Sequence, residues 1–413
     1  MKEELASELR CPACRREGTL ALHAEARDER EVREGFLRCR SCATEFPVRR
    51  GVPELLFEPP EHILREAAGL ERFAAQMRAD GWDRELVHRL PNLEHGYWYV
   101  QARSMHQLLT SIPFAAGESI LDVGSNTCWA SNHFAERGLR AIALDIATVE
   151  PQGLYTADWF IEDGHTYFER ILGSMDAIPL ASRSLDYVYC CQVLHHNDVA
   201  SLRRTFAEAF RVLRPGGRLL MVNETLKTLR DPHGVHDEGV EQYEGYEHAH
   251  WAWRYRWEAT RAGFLTEVTE PHYRSFFGDA TLEIPAGTPP LRAKAWRWAF
   301  ARRHTPLARR AYLAWLNHAW GGVSMNMIAS KPLRYSGRNE QRMGAAQRLA
   351  RVAADAARLR GDRRAGHAPQ RLPLGRVPCA TIPALARRVR RHARETLRGP
   401  HALLVAPAIA QGL

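Results

Sequence analysis

The stretch ESILDVGSNTCWASNHFAERGLRAIALD, residues 118–145, decides how the rest of the chain is read. Residues 119–123 are a short apolar run ending in a glycine turn, the pattern of a buried strand. Residues 129–137 follow with helical spacing, and residues 141–144 form a second buried strand closed by Asp145. Strand, glycine turn, helix, strand and acid make the βαβ unit that binds a nucleoside-bearing ligand. Gly124 lets the backbone turn tightly and approach that ligand. The helix that follows aims its free amides and positive dipole end at it. Asp145 is placed to accept hydrogen bonds from ribose hydroxyls.

The spacing also discriminates between ligands. A dinucleotide fingerprint needs its third glycine at position 129, where close helix–strand packing leaves no room for a side chain, and this chain has Trp129. Asp122, just before the first glycine, suits an ammonium group better than a pyrophosphate. The run Asp122-Val-Gly-Ser-Asn-Thr-Cys128 resembles motif I of the class I S-adenosylmethionine (SAM) methyltransferases. In that family the acid helps hold the methionine amine and the turn wraps the amino-acid end of the cofactor. Asn126 and Cys128 stand where glycines are usual; Asn tolerates left-handed backbone and Cys is small, so the loop can still form. The resemblance assigns Asp122, Gly124, Ser125, Asn126, Asp145 and Ile146 to the cofactor.

Two further stretches extend it. Residues 168–172 read as a strand, and Asp176-Ala177-Ile-Pro-Leu180 after it resembles the segment that reads adenine in this family. Asp176 would accept from the exocyclic amine while the Ala177 amide meets a ring nitrogen; a loop-capping Asp is the alternative. Residues 185–194 are the apolar fourth strand, running to the carboxyl edge of the sheet, beyond which ligands sit in open α/β folds. Cys191, Gln192 and His195 are therefore expected to face the reacting methyl group or the substrate, with Cys191 and Gln192 counted among the cofactor-binding residues. A helix over 199–213 stops at Arg214-Pro-Gly-Gly217, and 218–222 is the fifth strand. Leu213-Arg-Pro-Gly-Gly-Arg-Leu-Leu220 resembles the corresponding stretch of ubiquinone- and menaquinone-type methyltransferases.

Ahead of this region, Cys11-Pro-Ala-Cys14 and Cys39-Arg-Ser-Cys42 give two thiolate pairs, each on a tight knuckle. Their spacing predicts a tetrahedral zinc site made by Cys11, Cys14, Cys39 and Cys42, closed to substrate and therefore structural. A disulfide or redox pair is the competing reading. The continuation through Phe46-Pro-Val48 and Gly51-Val-Pro53 resembles the small zinc-ribbon partners that activate tRNA- and protein-modifying methyltransferases, here fused in cis. Residues 58–112 show helical spacing only. Within them His95-Gly-Tyr-Trp-Tyr99 occupies the place where related methyltransferases carry an aromatic helix that closes over the cofactor, with ordinary packing as the alternative.

Composition sets outer bounds. With 413 residues, 45% hydrophobic and 25% charged, the chain can bury a full core. It shows no signal region and no run of membrane-spanning length, so a cytoplasmic setting is expected and its eight cysteines are not a disulfide framework. The net charge of +9 is uneven: residues 334–413 hold 17 Arg against 4 acids. That tail carries a narrow apolar stripe at Leu385, Val389, Ala393 and Leu397, which fits RNA or an anionic membrane surface, or a solvated tail. Residues 243–257, together with His233, His236, Asp237 and Glu238, crowd aromatics, histidines and acids; they read as a substrate-covering segment, a metal site or an amphipathic helix. The aromatics Trp296, Trp298, Phe300, Tyr312, Trp315 and Trp320 read as core packing or as an aromatic substrate wall.

The expectation is an α/β protein with a Rossmann-like, seven-stranded SAM methyltransferase sheet carrying helices on both faces. Its expected divisions are a zinc ribbon at 1–57, a helical cap at 58–112, the catalytic domain at 113–333 with a covering insertion at about 224–320, and a basic tail at 334–413. Residues 264–268 and 323–329 are expected to supply the last two strands. A hydroxyl or carbon nucleophile needs a proton acceptor, for which His195 or His196 stand first and Glu224 or His248 second. Cys190 and Cys191 read as inert packing. The expected acceptor is a small or medium molecule such as a glycan, lipid precursor or secondary metabolite. RNA or protein methylation, and a silent SAM-binding scaffold, are the alternatives.

Overall fold

The computed structural model describes residues 1–93, 96–164, 166–230, 232, 248–271, 289–301, 305, 307, 311, 314, 318 and 324–333. The chain opens with helix α1 (Glu3–Glu8) and an antiparallel sheet of β1 (Leu20–Arg27), β2 (Val32–Cys39), β3 (Glu45–Arg49) and β4 (Val52–Pro53), in the order β1-β2-β3-β4. Gly35 is fixed by crowding: a Cβ there would lie 2.1 Å from the carbonyl oxygen of His23 on the neighbouring strand. Three helices follow, α2 (Glu61–Ala79), α3 (Arg84–His88) and α4 (Gly96–Ser111). Asp83 caps α3 by accepting the Leu86 amide at 2.9 Å.

The second sheet is built from β5 (Ser119–Val123), α5 (Trp129–Glu136), β6 (Arg140–Asp145), α6 (Ala157–Gly164), β7 (Glu169–Leu172), β8 (Leu185–Cys191), α7 (Val199–Val212), β9 (Leu213–Lys227), β10 (His250–Trp251), α8 (Ala252–Ala262), β11 (Leu265–Pro271), α9 (Pro290–Ala301) and β12 (Ser324–Ser330). Strand order is β11-β12-β9-β8-β5-β6-β7, with the short β10 paired to the end of β9. The strands β7, β6, β5, β8 and β9 are parallel, and β12 runs antiparallel between β9 and β11. This is the seven-stranded Rossmann-like α/β fold. All five residues of β5 are buried, because helices cover both faces and a central parallel strand has no solvent side. On α7 the buried stripe Leu202, Phe206, Ala209 and Val212 follows the 3.6-residue period, and Asp198 caps the helix at Ser201 N, 2.6 Å away. Order reverses between β5 and β8, which opens a crevice at the carboxyl ends of the strands.

The cysteine-bearing sheet does not stand apart. Leu5, Leu9, Leu37, Phe46 and Leu55 share one hydrophobic core with Leu121, Ile142 and Val188 of the large sheet. Glu54 forms a parallel bridge with Leu172, and the Leu55 amide donates to Leu172 O at 2.8 Å. Further on, Arg10 N donates to Pro179 O at 3.1 Å and Ala181 N to Glu8 O at 2.7 Å. The segment between Leu172 and Ala181 is thus tied at both ends to the N-terminal module. An ion network lies behind it. Arg170, fully buried, binds Glu31 of the small sheet and, at 2.8 Å, Asp158 of α6, which Arg33 reaches at 3.0 Å and Arg50 at 2.9 Å. Burial alone would raise Glu31, but the Arg170 guanidinium and its other positive neighbours outweigh it and hold the carboxyl at about 2.

Several expectations change. The region after Asp145, to which the sequence reading assigned no element, contains α6, whose Phe160 and Ile161 are buried. Arg214-Pro-Gly-Gly217 does not precede the fifth strand but lies inside β9, absorbed by an irregular pairing between Leu185↔Leu213 and Tyr187↔Arg218. The last two strands fall where expected. His233, His236, Asp237, Glu238, residues 243–247, Tyr312, Trp315, Trp320 and residues 334–413 lie outside the described residues, as do the side chains of Trp296 and Phe300; Trp298 is exposed on α9. Among the described residues no helix is long and apolar enough to cross a membrane.

Candidate active site

A cavity of about 490 Å³ occupies the crevice at the carboxyl edge of β5, β6, β7 and β8, with α2 and α4 as its roof. Gly124 begins the turn after β5 with φ +65°, and a Cβ there would sit 2.3 Å from Val193 Cγ2. Asn126 and Cys128, which stand where glycines are usual, take φ 47° and 59°. The turn therefore demands left-handed backbone at both positions, at a cost of about 1–2 kcal/mol each for a residue with a Cβ. Part of that cost is offset by Asp145, whose Oδ2 accepts the Asn126 amide at 2.8 Å and whose Oδ1 accepts Ala147 N at 3.0 Å. Gly124, Ser125, Asn126, Asp145 and Ile146 all line the cavity.

Asp122 lines it as well, at the end of β5, accepting Ser131 Oγ at 2.7 Å. Burial pushes its carboxyl up to about 7, and Asp145 adds repulsion. Asp145 is likewise raised by burial, to about 6, against the pull of three backbone amides and with some repulsion from Glu66. Two desolvated acids in one cavity form a site that favours a cation.

The wall beyond β7 corrects the sequence reading. Ser174 and Met175 line the cavity; Asp176 and Ala177 do not. A single 3-10 turn over Met175–Ala177 sends the Asp176 carboxylate outward, where it accepts Ser174 Oγ at 2.6 Å and pairs with Arg204 of α7 at 2.8 Å. The residues that line the cavity here are two positions earlier than the expected pair.

At the end of β8, Cys191 and Gln192 are in the wall, with Gln192 at φ 51°. Gln101 of α4 holds them: its Nε2 donates to Gln192 Oε1 at 2.6 Å, and its Oε1 accepts Cys191 Sγ at 2.9 Å and Asn223 Nδ2 at 2.9 Å. Trp98, from the expected aromatic helix, is also in the wall, edge-on to Trp129; His95 lies outside the described residues.

His195 and His196 follow, both in the wall, with ring centroids 4.3 Å apart. Each is paired through Nδ1 with a buried carboxylate: His195 with Glu224 Oε1 at 2.7 Å, and His196 with Glu66 Oε1 at 2.9 Å. Glu224 also accepts the amides of Leu194 at 3.0 Å and His195 at 2.9 Å. Burial works to raise its pKa, but His195 and these amides prevail and hold it below the ordinary value. Glu224 sits behind His195 and not on the cavity wall. His248 is placed by its backbone, donating to His195 O at 2.5 Å, and its ring is not part of the wall either.

Sequence reasoning missed Glu66, Gln101, Ser174, Met175 and Asn223. A signal existed for Glu66. It interrupts the α2 stripe Ile63, Leu70, Phe73, Met77, all cavity-lining, and a charge on the apolar face of a helix marks something other than packing.

Away from the cavity, the sulfurs of Cys11, Cys14, Cys39 and Cys42 all lie within 4.8 Å of one another, with Cys11–Cys42 and Cys14–Cys39 at 3.7 Å. Zinc–sulfur bonds of about 2.3 Å in a tetrahedron put the sulfurs about 3.8 Å apart. The four thiols fit that ion and fit a zinc ribbon.

Residues 121–221 match the family described as "Methyltransferase domain". The chain is 33% identical over 104 residues to malonyl-[acyl-carrier protein] O-methyltransferase of Serratia marcescens, covering 25% of this chain and 37% of that protein. It is 35% identical over 111 residues to an uncharacterized methyltransferase of Mycobacterium tuberculosis, covering 27% of this chain and 42% of that protein. It thus spans well under half the length of either relative. Among solved structures, the complex of the Haloferax volcanii Trm112 methyltransferase activator with a methyltransferase aligns with TM-score 0.40 and 18% identity, covering 65% of this chain and 100% of that one. Phosphoethanolamine N-methyltransferase 2 of Haemonchus contortus aligns with TM-score 0.39 and 15% identity, covering 63% and 60%. The large sheet carries a methyltransferase domain. It is of the class I, SAM-dependent type, and it follows an N-terminal four-cysteine module.

Proposed function

We propose that this protein transfers a methyl group from SAM to a small or medium-sized acceptor, with a structural zinc ion in the four-cysteine module. The observation that carries this reading is the pairing of Asp122 and Asp145, both buried in one cavity on either side of the left-handed turn. Bound SAM supplies an already activated methyl group, so the protein mainly aligns the acceptor and excludes water. Asp122 meets the ammonium and Asp145 the ribose hydroxyls; Ser174 and Met175 flank the base. His195, oriented by Glu224, is the proton acceptor, with His196 beside it. Charge alone assigns the arginine-rich tail an anionic partner, RNA or a membrane surface, which salt-dependent retention on each would test.

Isothermal titration of purified protein with SAM, followed by an assay for S-adenosylhomocysteine in the presence of a small-molecule extract, tests the reading. Micromolar binding and turnover are expected. Absence of SAM binding would end it, and binding without turnover would favour a silent scaffold.

A further inference from the structure

We infer that the outer face of α8, with the end of β9 beside it, docks on an anionic phospholipid bilayer. The inference does not depend on methyl transfer: it concerns the surface on which the domain rests, and it stands or falls separately from the reading above. It is carried by two tryptophans and a leucine left in water among cations, next to the rim of the cavity.

Trp253 is 48% exposed, Trp257 56% and Leu229 75%. The tryptophans are four positions apart and so share one face of α8, whose opposite face buries Tyr255, Glu258 and Ala259. Leu229 lies two residues past the end of β9. The last residue of that strand, Lys227, pairs with Trp251 of β10, immediately ahead of α8. His318 links the two: its carbonyl accepts the Leu229 amide at 2.8 Å. Its imidazole is lowered by burial and by the charge of Arg256, which stands between the tryptophans in sequence. The patch adjoins the cavity. Thr225 and His195 are in the cavity wall; Thr225 immediately precedes Leu226, the partner of His250, and His195 O accepts the His248 amide at 2.5 Å.

The same surface is basic. Arg256 and Arg261 are exposed on α8, and Arg230 is exposed beyond Leu229. The single acid of α8, Glu258, is buried and already bound to Arg203 at 3.2 Å and Arg254 at 3.3 Å. Arg256 and Arg261 are thus left without a counter-charge on their own helix. Indole rings and a leucine ringed by guanidinium groups match a bilayer interface: the rings sit at headgroup level and the cations meet lipid phosphates.

Two other occupants fit less well. Single-stranded RNA stacks on tryptophan, but a leucine offers no ring to stack on. The adjoining cavity also holds Asp122, Asp145 and Glu66, and among its described wall residues no Lys or Arg, so it repels a phosphate backbone. A second copy docked about a two-fold axis would bring the same patch, with Arg256 and Arg261, against itself.

The test uses the whole protein and vesicles of phosphatidylcholine with or without phosphatidylglycerol. Cosedimentation with the phosphatidylglycerol vesicles is expected. Affinity should fall about fivefold for each of Arg256→Gln and Arg261→Gln, and about tenfold for Trp253→Ser with Trp257→Ser. With fluorinated tryptophan incorporated, a spin-labelled lipid should broaden the fluorine signals that Trp253→Phe and Trp257→Phe identify. Vesicle binding that none of these substitutions weakens, or signals that stay sharp in the bound state, would put the contact elsewhere on the chain and overturn the inference. Equal binding to phosphatidylcholine alone would overturn it too. Retention of single-stranded RNA without vesicle binding, or a dimer that the tryptophan substitutions dissolve, would replace the bilayer with that partner. None of these outcomes touches SAM binding or turnover, which are measured separately.

Discussion

Glu54 and Leu172 face each other across a parallel β-bridge, and through it the cysteine-bearing sheet becomes an extension of the sheet that builds the cavity. Leu172 is the last residue of β7, directly ahead of the Gly173-Ser174-Met175 wall. Together with the Arg10–Pro179 and Ala181–Glu8 backbone bonds, the bridge makes the position of that wall depend on the N-terminal module.

Removing the proposed zinc should therefore do two things at once. Four thiolates forced together without an ion repel and lose their cross-link. Treatment with a strong zinc chelator, or Cys39→Ala, is expected to lower Tm by about 10 °C or more and to weaken SAM binding measured by titration below the new Tm. Undiminished SAM affinity after verified metal loss would show that the module only adds stability.

Arg170 holds the two modules together electrostatically. Replacing it with Met removes the fully buried cation between Glu31 and Asp158 and leaves them only the less buried Arg33, with the N-terminus on Glu31 and Arg50 on Asp158, at a cost of about 3 kcal/mol. Denaturant unfolding should register that loss. If Arg170→Met unfolds at the wild-type midpoint, the buried network contributes nothing net.

SAM affinity should rise with pH. Asp122 and Asp145 titrate at about 7 and about 6 in the folded protein, above the 3.8 of a free aspartate. An ammonium and a ribose prefer them ionised, so each pH unit below those values weakens binding by up to about tenfold per group. The same raised values make the free fold less stable as pH climbs from about 4 to about 7, since the native state holds the protons more tightly. Asp122→Asn should then raise Tm most at pH 8, less at pH 5 and hardly at all near pH 4, and abolish much of the pH dependence of binding while weakening it. Calorimetry at three pH values checks all of these.

Glu224 has the opposite sign. Its folded pKa lies below the ordinary 4.5, so its stabilising effect is fully present above that pH and is lost as pH falls through the folded value. Glu224→Gln is expected to cost about 3 kcal/mol at pH 7, a difference that closes in acid. Its kinetic signature is a kcat lowered about 10-fold or more with SAM affinity unchanged, because the carboxylate acts on the acceptor only through His195. Equal losses in kcat and SAM affinity would point to a collapsed loop instead.

How legible this was in the sequence varies by element. Strands β5, β6 and β8 and helices α2, α5 and α7 were readable because their apolar periods are local properties, set by which face each residue must bury. The turn after β5 was readable from Gly124, whereas the left-handed backbone at Asn126 and Cys128 is not written in those side chains. Helix α6 was not, because its buried face includes Asp158, a charge that is acceptable only beside Arg170 and Arg33. Asp176 misled because a carboxylate in the expected window looks like an adenine reader, and only the 3-10 turn and Arg204 decide that it points outward.

The sequence by itself determined the kind of sheet, its cofactor turn and the four-thiol cluster, since each is written in residues close together in the chain. Tertiary structure alone decided that the cysteine module completes the edge at Leu172 and that Glu66 and Glu224 pair with neighbouring histidines. Those pairings join residues some 30 to 130 positions apart. Their energies depend on burial and approach, which no local pattern encodes.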